Sequence, residues 1–384
     1  MNWMLLIKVL LTLTYTTATY AQDTTVQRLK YSGYIKNLQS LNYAENFTHL
    51  TTGNLIHNRA NLKWQPSGSI IAVMEFRNRL FWGEEVALTP GFASQLRNAN
   101  EAADLSLNWI NEEQMVLNTT IDRLYLLYDK VRWNVRVGRQ RINWGIGTIW
   151  NPNDLFNTFN FLDFDYEERP GVDALRLQYF TGLMNHIELA ISVGDESHEM
   201  ISAAKYFINF ANYDLQLIGG WFQRQPTMGV GWSGIIRESG FKGEVQYYFP
   251  RKDFQELINV SAEIDHVFEN GWYVNIGGFF NSRGIKEPAD LSTIATLEFS
   301  PKNLMPTKWN SIVGFTKEIT PLFTGNTTII YSPGSHLVML LPTLSYNLSE
   351  NLDFNLVWQS FFNKQDTGFD DMAHRIFIRI KWSF

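Results

Sequence analysis

Between Val26 and Phe384 apolar and polar residues alternate again and again with a period of two. Successive side chains of an extended strand point to opposite faces, so this pattern predicts strands with one apolar and one polar face. Val131, Trp133, Val135 and Val137 share one face, and Arg132, Asn134, Arg136 and Gly138 the other. Ile187, Leu189, Ile191 and Val193 oppose His186, Glu188, Ala190 and Ser192. Phe241, Gly243, Val245, Tyr247 and Phe249 oppose Lys242, Glu244, Gln246 and Tyr248. The chain ends HRIFIRIKWSF, which sets Ile376, Ile378, Ile380, Trp382 and Phe384 against Arg375, Arg379 and Lys381.

One polar face per sheet also suits a soluble sandwich. Three features favour a membrane barrel. The alternating segments run about 10–13 residues, enough for a tilted crossing of ~9–11. Trp and Tyr recur near their ends, where interfacial girdles sit. Short and long connections also alternate. Short turns fall at Pro66-Ser67-Gly68, Asp129-Lys130, Glu238-Ser239-Gly240, Glu269-Asn270-Gly271 and Ser349-Glu350-Asn351, rich in tight-turn residues. Longer connections are expected over 41–53, 82–113, 143–170, 283–307 and 363–373. With short turns in the periplasm and long loops outside, the chain predicts an all-β, single antiparallel transmembrane β-barrel of about 18 strands (range about 16–20), both termini periplasmic. An even count requires Leu291–Ser300 to belong to an external loop. On this reading Arg375, Arg379 and Lys381 line the lumen and the apolar face of the last strand meets outer-membrane lipid.

Composition narrows the alternatives. The 384 residues carry no cysteine, 15% aromatics and a net charge of −6. Absence of cysteine excludes disulfides, thiolate metal sites and a lipidated-cysteine anchor. Mild acidity argues against nucleic acid as the partner. No apolar run reaches the ~20 residues of a membrane helix. Residues 1–21 are expected to form a signal peptide, with an apolar stretch interrupted by Lys8 and small residues at Thr19 and Ala21. Residues 22–384 then form one barrel domain, with no linker or plug segment. The seven histidines show neither a HExxH pattern nor a Gly-x-Ser-x-Gly elbow, and no dinucleotide or phosphate loop is present, so the sequence predicts no enzyme, metal or cofactor. A barrel hydrolase using Ser335 and His336, the one adjacent Ser/His pair in a turn, is the weaker alternative.

The most distinctive internal stretch is 138–157, GRQRINWGIGTIWNPNDLFN. Its Gly138-Arg139-Gln140 run, Trp144-Gly145 pair and Asn151-Pro152-x-Asp154 pattern resemble a family of bacterial outer-membrane, porin-like β-barrels, many of undefined function and distantly like polysaccharide-export barrels. Ile319–Leu322 and Leu344–Leu352 look like the last hairpins of the same family. The resemblance covers about two-thirds of the mature chain in patches and implies a porin or exporter. It also implies that the terminal Phe384 strand is read by the barrel-insertion machinery.

The residues themselves suit a loop, 143–170, that folds into the lumen. Gly145 and Gly147 permit sharp backbone changes, Asn151-Pro152 marks a turn, and Phe156, Phe159, Phe161 and Phe164 are apolar anchors. The loop then turns acidic at Asp163, Asp165, Glu167 and Glu168, while Arg132, Arg136, Arg139 and Arg141 precede it. Strict alternation would turn Arg139 and Arg141 outward, so a bulge near Gly138, or an exposed rim position, is required. These charges suit a constriction whose transverse field selects a polar small solute or saccharide. They equally suit mutual neutralisation that fixes the loop. A non-conducting binding or assembly barrel is the alternative function.

Overall fold

A computed structural model describes residues 28–44, 48–97, 101–165, 169–196, 199–288, 298–365 and 368–384. The expected signal peptide, and Glu167 and Glu168, lie outside them. The strands are β1 (Leu29–Ala44), β2 (Thr48–Ser67), β3 (Ile70–Gly83), β4 (Ser106–Glu112), β5 (Met115–Lys130), β6 (Trp133–Gln140), β7 (Val172–Phe180), β8 (His186–Val193), β9 (Ile201–Phe210), β10 (Tyr213–Phe222), β11 (Gln225–Ile236), β12 (Ser239–Tyr248), β13 (Leu257–Val267), β14 (Trp272–Asn281), β15 (Trp309–Thr320), β16 (Phe323–Ser332), β17 (Leu337–Ser349), β18 (Leu352–Gln365) and β19 (Gly368–Ser383). Each pairs antiparallel with its neighbours, and β19 returns to β1 (Ile35 opposite Trp382, Lys36 opposite Lys381), which closes the sheet. The barrel has 18 wall strands. The remaining strand, β4, pairs only with the upper half of β5, above the point where β6 stops. Closure leaves no unpaired edge among the 18 wall strands, a condition a spanning sheet must meet.

The alternation sorts the two faces as expected. On β19, Ile378, Ile380 and Trp382 are 45%, 45% and 42% exposed on the outer surface, whereas Arg379 between them is 7% exposed. On β12, Glu244, Gln246 and Tyr248 are fully buried inside. An apolar face turned out and a polar face turned in is the inverse of a soluble sandwich and fits lipid outside and a wet lumen within.

The wall is uneven in height. β1–β3, β5 and β17–β19 run 13–20 residues, while β6–β16 run 8–12. This tall flank corrects two expectations. Stretches 41–53 and 363–373 are mostly strand, because β1 reaches Ala44 before β2 begins at Thr48, and β18 reaches Gln365 before β19 begins at Gly368. Their Asn and Thr residues resemble loop composition, but cross-strand pairing decides the matter. Connection 82–113 holds two short helices, α1 (Glu84–Leu88) and α2 (Phe92–Gln95), besides β4. The turn between β5 and β6 is Val131-Arg132, not Asp129-Lys130: Val131 has φ 35° and is 93% exposed. Lys130 opposite Trp133 leaves two residues for the reversal. Short and long connections do not alternate strictly, since Gln223-Arg224 joins β10 to β11 at the loop end. Of Leu291–Ser300, residues 291–297 lie outside the described set, and Ser300 is bridged to Asn303.

Gly138 sits in β6 at φ 113°, with Tyr125 opposite and no register shift beside it. A Cβ there would lie 2.3 Å from the Leu124 carbonyl oxygen. Gly138→Ala is therefore expected to lower the unfolding free energy by about 1–3 kcal/mol, measured by urea titration of the folded barrel in micelles. An unchanged midpoint would show that the backbone relaxes at no cost.

Candidate functional site

Loop 141–171 leaves β6 and crosses the lumen, and its contacts show the path. Glu244 of β12 is fully buried and accepts three backbone N–H bonds from it: from Ile146, from Gly147 at 3.0 Å and from Asn153 at 2.7 Å. Thr148 N donates to Glu263 of β13 at 2.8 Å, and Trp144 Nε1 to Glu188 of β8 at 2.6 Å. Gln216 of β10 donates to the Trp144 carbonyl at 2.9 Å, and Asn153 Nδ2 to the Val230 carbonyl of β11 at 2.9 Å. The chain then swings across to the tall flank. Gln359 of β18 donates to the Leu162 carbonyl at 3.0 Å, Phe164 stacks near Phe377 of β19 at 5.7 Å, and Asp165 meets Lys36 of β1 at 2.5 Å and His57 of β2 at 2.9 Å. β12 and β2 stand nine places apart in the ring of 18, so the two sets of pins face each other across the barrel.

Local sequence explains the fold of this loop. Ile142, Trp144, Leu155 and Phe156 are buried together with Phe222, Tyr248 and Leu257 of the wall, and Trp150 stacks on Phe279 at 5.5 Å. Gly145 is required because a Cβ would lie 2.6 Å from the Asn151 Cβ. Asn151, Pro152 and Asp154 form the buried bend: Asp154 N donates to the Asn151 carbonyl at 3.1 Å, and Asp154 Oδ2 accepts from Arg169 at 2.7 Å. Burial pushes the Asp154 carboxyl up to about 6, although Arg169 and the Trp144 N–H pull it down. An acid with a raised folded pKa loses stability as pH climbs from its unfolded value, near 4, through 6. Loop docking is expected to weaken by at most roughly 2–3 kcal/mol over that window. Asp154→Asn should flatten this dependence in a pH series of protease cleavage within the loop, and a wild-type slope retained in the variant would count against it.

Asp163 and Asp165 face a basic flank. Burial raises the Asp165 carboxyl, but the hydrogen bond from His57 and the charge of Lys36 outweigh it and hold the group well below the usual carboxylate range. Arg59 pairs with Glu75 and Asp122, each at 2.5 Å, and Arg77 reaches Asp122 at 3.0 Å. Arg79 donates to Asn118 at 3.2 Å. Between loop and flank lies a cavity of about 580 Å³ lined by Arg77, Arg79, Arg375, Asp163, Asp165 and Phe377 among others. The site therefore presents guanidinium groups and carboxylates across one space, with aromatic rings beside them.

The arginines singled out in sequence are dispersed. Arg132 is exposed in the β5–β6 turn at the end of the barrel where β1 starts and β19 stops. Arg136 faces the lumen and lies 4.7 Å over the Tyr125 ring. Arg139 is buried at the rim, bonded to Asp173 at 2.8 Å and Glu101 at 3.0 Å, beneath segment 101–103. Arg141 opens the loop within electrostatic reach of Asp154. The acidic tip thus meets β1–β3 and β19 instead of β6, because the loop carries it away from the strand it left. On β19, Arg375 lines the cavity, Arg379 donates to Asn355 at 2.8 Å and lies 4.5 Å over the Phe164 ring, and Lys381 comes within 3.9 Å of Asp353. Lys36, His57, Arg59, Arg77 and Arg79 were missed, though each occupies a period-two inward position.

No protein-family model and no curated protein matches the sequence. Solved structures match in fold. Acinetobacter baumannii OccAB4 aligns with a TM-score of 0.60 at 10% identity over 93% of this chain and 98% of that one. Pseudomonas aeruginosa OccK11 (OpdR) gives 0.58 at 9% identity over 93% and 96%. Pseudomonas aeruginosa OpdL gives 0.57 at 10% over 93% and 99%.

Proposed function

We propose that this chain is a porin-like channel of the bacterial outer membrane, passing polar solutes by diffusion or export through a lumen narrowed by loop 141–171. The observation that carries the proposal is the loop pinned across the diameter of a closed barrel beside a cavity of about 580 Å³ lined by both signs of charge. A barrel that only anchored a surface module would not need a polar interior crossed by a positioned loop. In this orientation the termini and two- to five-residue turns face the periplasm, as short turns do in such barrels. Asp163, Asp165, Arg77, Arg79 and Arg375 form the constriction. The backbone of Phe384 is bonded to Gly33 in both directions at 2.9 Å on the closing seam, which supports reading this residue as the mark for the insertion machinery.

Planar-bilayer recording on the purified, heat-modifiable barrel tests this. Ohmic single-channel current is expected, rising when residues 150–165 are deleted. A folded barrel that passes no current in either form would leave the non-conducting binding module as the better account.

A further inference from the structure

Lys302 ends inside a box of aromatic rings at the loop end of the lumen. Ser300 and Asn303 bond each other's backbones, Asn303 N to Ser300 O at 2.8 Å and Ser300 N to Asn303 O at 3.3 Å. Pro301 and Lys302 therefore form the tip of a tight turn. The Pro301 carbonyl accepts from Asn259 Nδ2 of β13 at 2.8 Å, which fixes this turn against the inner wall. From it the Lys302 ammonium stands 5.1 Å from the ring centre of Phe222, 5.2 Å from that of Tyr248 and 5.2 Å from that of Phe254.

The box is prebuilt. Phe222 ends β10 and Tyr248 ends β12; they are 5% and 0% exposed and meet edge to face at 5.8 Å. Phe254 is half-buried in the β12–β13 connection, where it and Arg251 bond each other's backbones, and it forms the side that solvent reaches. No carboxylate pairs with Lys302 among the described residues, and burial alone pulls its pKa below the ordinary lysine value. A loop held down by a lysine would ordinarily be held through an acid, as Asp165 is through Lys36. Rings do otherwise. They attract any compact cation within about 6 Å of their faces without fixing a counter-charge.

We propose that Phe222, Tyr248 and Phe254 form a binding site for the alkylammonium end of a polar solute, and that Lys302 is its resident, displaceable occupant. The placement suits a solute with two polar ends, since β10 and β12 lie across the ring from β2 and β3, where Arg77, Arg79, Asp163 and Asp165 line the cavity. Lysine's long stem allows the head group to leave while the turn stays in place. The site stands whether or not the barrel conducts.

Titration of the full folded barrel in micelles with n-butylammonium chloride, against sodium chloride at equal ionic strength, tests the assignment. Lys302→Gln, which keeps most of the stem and removes the charge, is expected to bind n-butylammonium about tenfold more tightly than the wild type. Adding Phe254→Leu, which keeps bulk but removes a ring, should erase most of that gain, with heat modifiability confirming folding in each case. Equal affinity in Lys302→Gln and wild type overturns the proposal. So does a gain that survives Phe254→Leu.

Discussion

Glu244→Ala is expected to raise single-channel conductance severalfold while the barrel itself stays folded. Glu244 accepts the Ile146, Gly147 and Asn153 N–H groups, and the carboxylate is fully buried. Removing it strands three donors, each costing about 1–3 kcal/mol when buried and unpaired. That sum of about 3–9 kcal/mol opposes the contacts of Thr148, Trp150 and Asn153 that remain, so residues 146–153 are expected to leave the wall and seek water. Wall pairing is untouched, because the β11–β12 and β12–β13 ladders are backbone bonds. Glu244→Gln, which keeps one acceptor oxygen, should fall between. Conductance equal to wild type in Glu244→Ala, with the gel shift of a folded barrel, would mean that the loop does not limit flow.

Asp165→Ala attacks the opposite anchor and should change selectivity as well as size. It leaves Lys36, whose side chain is fully buried, and His57 without their shared carboxylate. Breaking a buried ion pair by removing one partner costs about 3–5 kcal/mol, so the loop tip or the lysine must move. The lumen also loses a negative charge opposite Arg77, Arg79 and Arg375. The reversal potential in a salt gradient is expected to shift toward anions. Because the Asp165 carboxyl is held below its usual range, its contribution is fully present above the unfolded value near 4 and fades only as pH falls below it. The contribution of Asp165 to selectivity should therefore be flat from pH 8 to about 4. A difference between wild type and Asp165→Ala that itself titrates near neutral pH would show that another group controls the tip.

The wall was legible in the sequence because its physics is local. Glu188, Glu244 and Arg379 sit between apolar neighbours, and period-two alternation assigns each to the lumen with no knowledge of partners. The turn expected at Glu238-Ser239-Gly240 falls one residue earlier, between Ile236 and Ser239, and the one expected at Ser349-Glu350-Asn351 lies between β17 and β18. Where a strand stops was less legible: Asn42, Thr51 and Thr52 read as loop residues, yet the β1–β2 ladder carries them upward. Least legible was which charges meet. The acidic tip and Arg136 stand close along the chain, but Asp165 meets Lys36 and His57, over a hundred positions away. Such pairings depend on the diameter of the closed ring and the route of the loop, and neither is written in any short window.

The two-sided pinning of loop 141–171 has a consequence for assembly order. Pins on β12 and β13 and pins on β1, β2, β18 and β19 can be satisfied together only at the width of the finished ring, after β19 has found β1. Before that, the loop can hold only its pins on β8 and β10–β13, and its acidic tip lacks the Lys36 and His57 partners that the closed ring brings opposite. Sealing the seam and setting the bore are thus one late event. The geometry through which a solute would pass acts as a gauge: a barrel closed with a strand too few or too many could not seat both ends of its own loop.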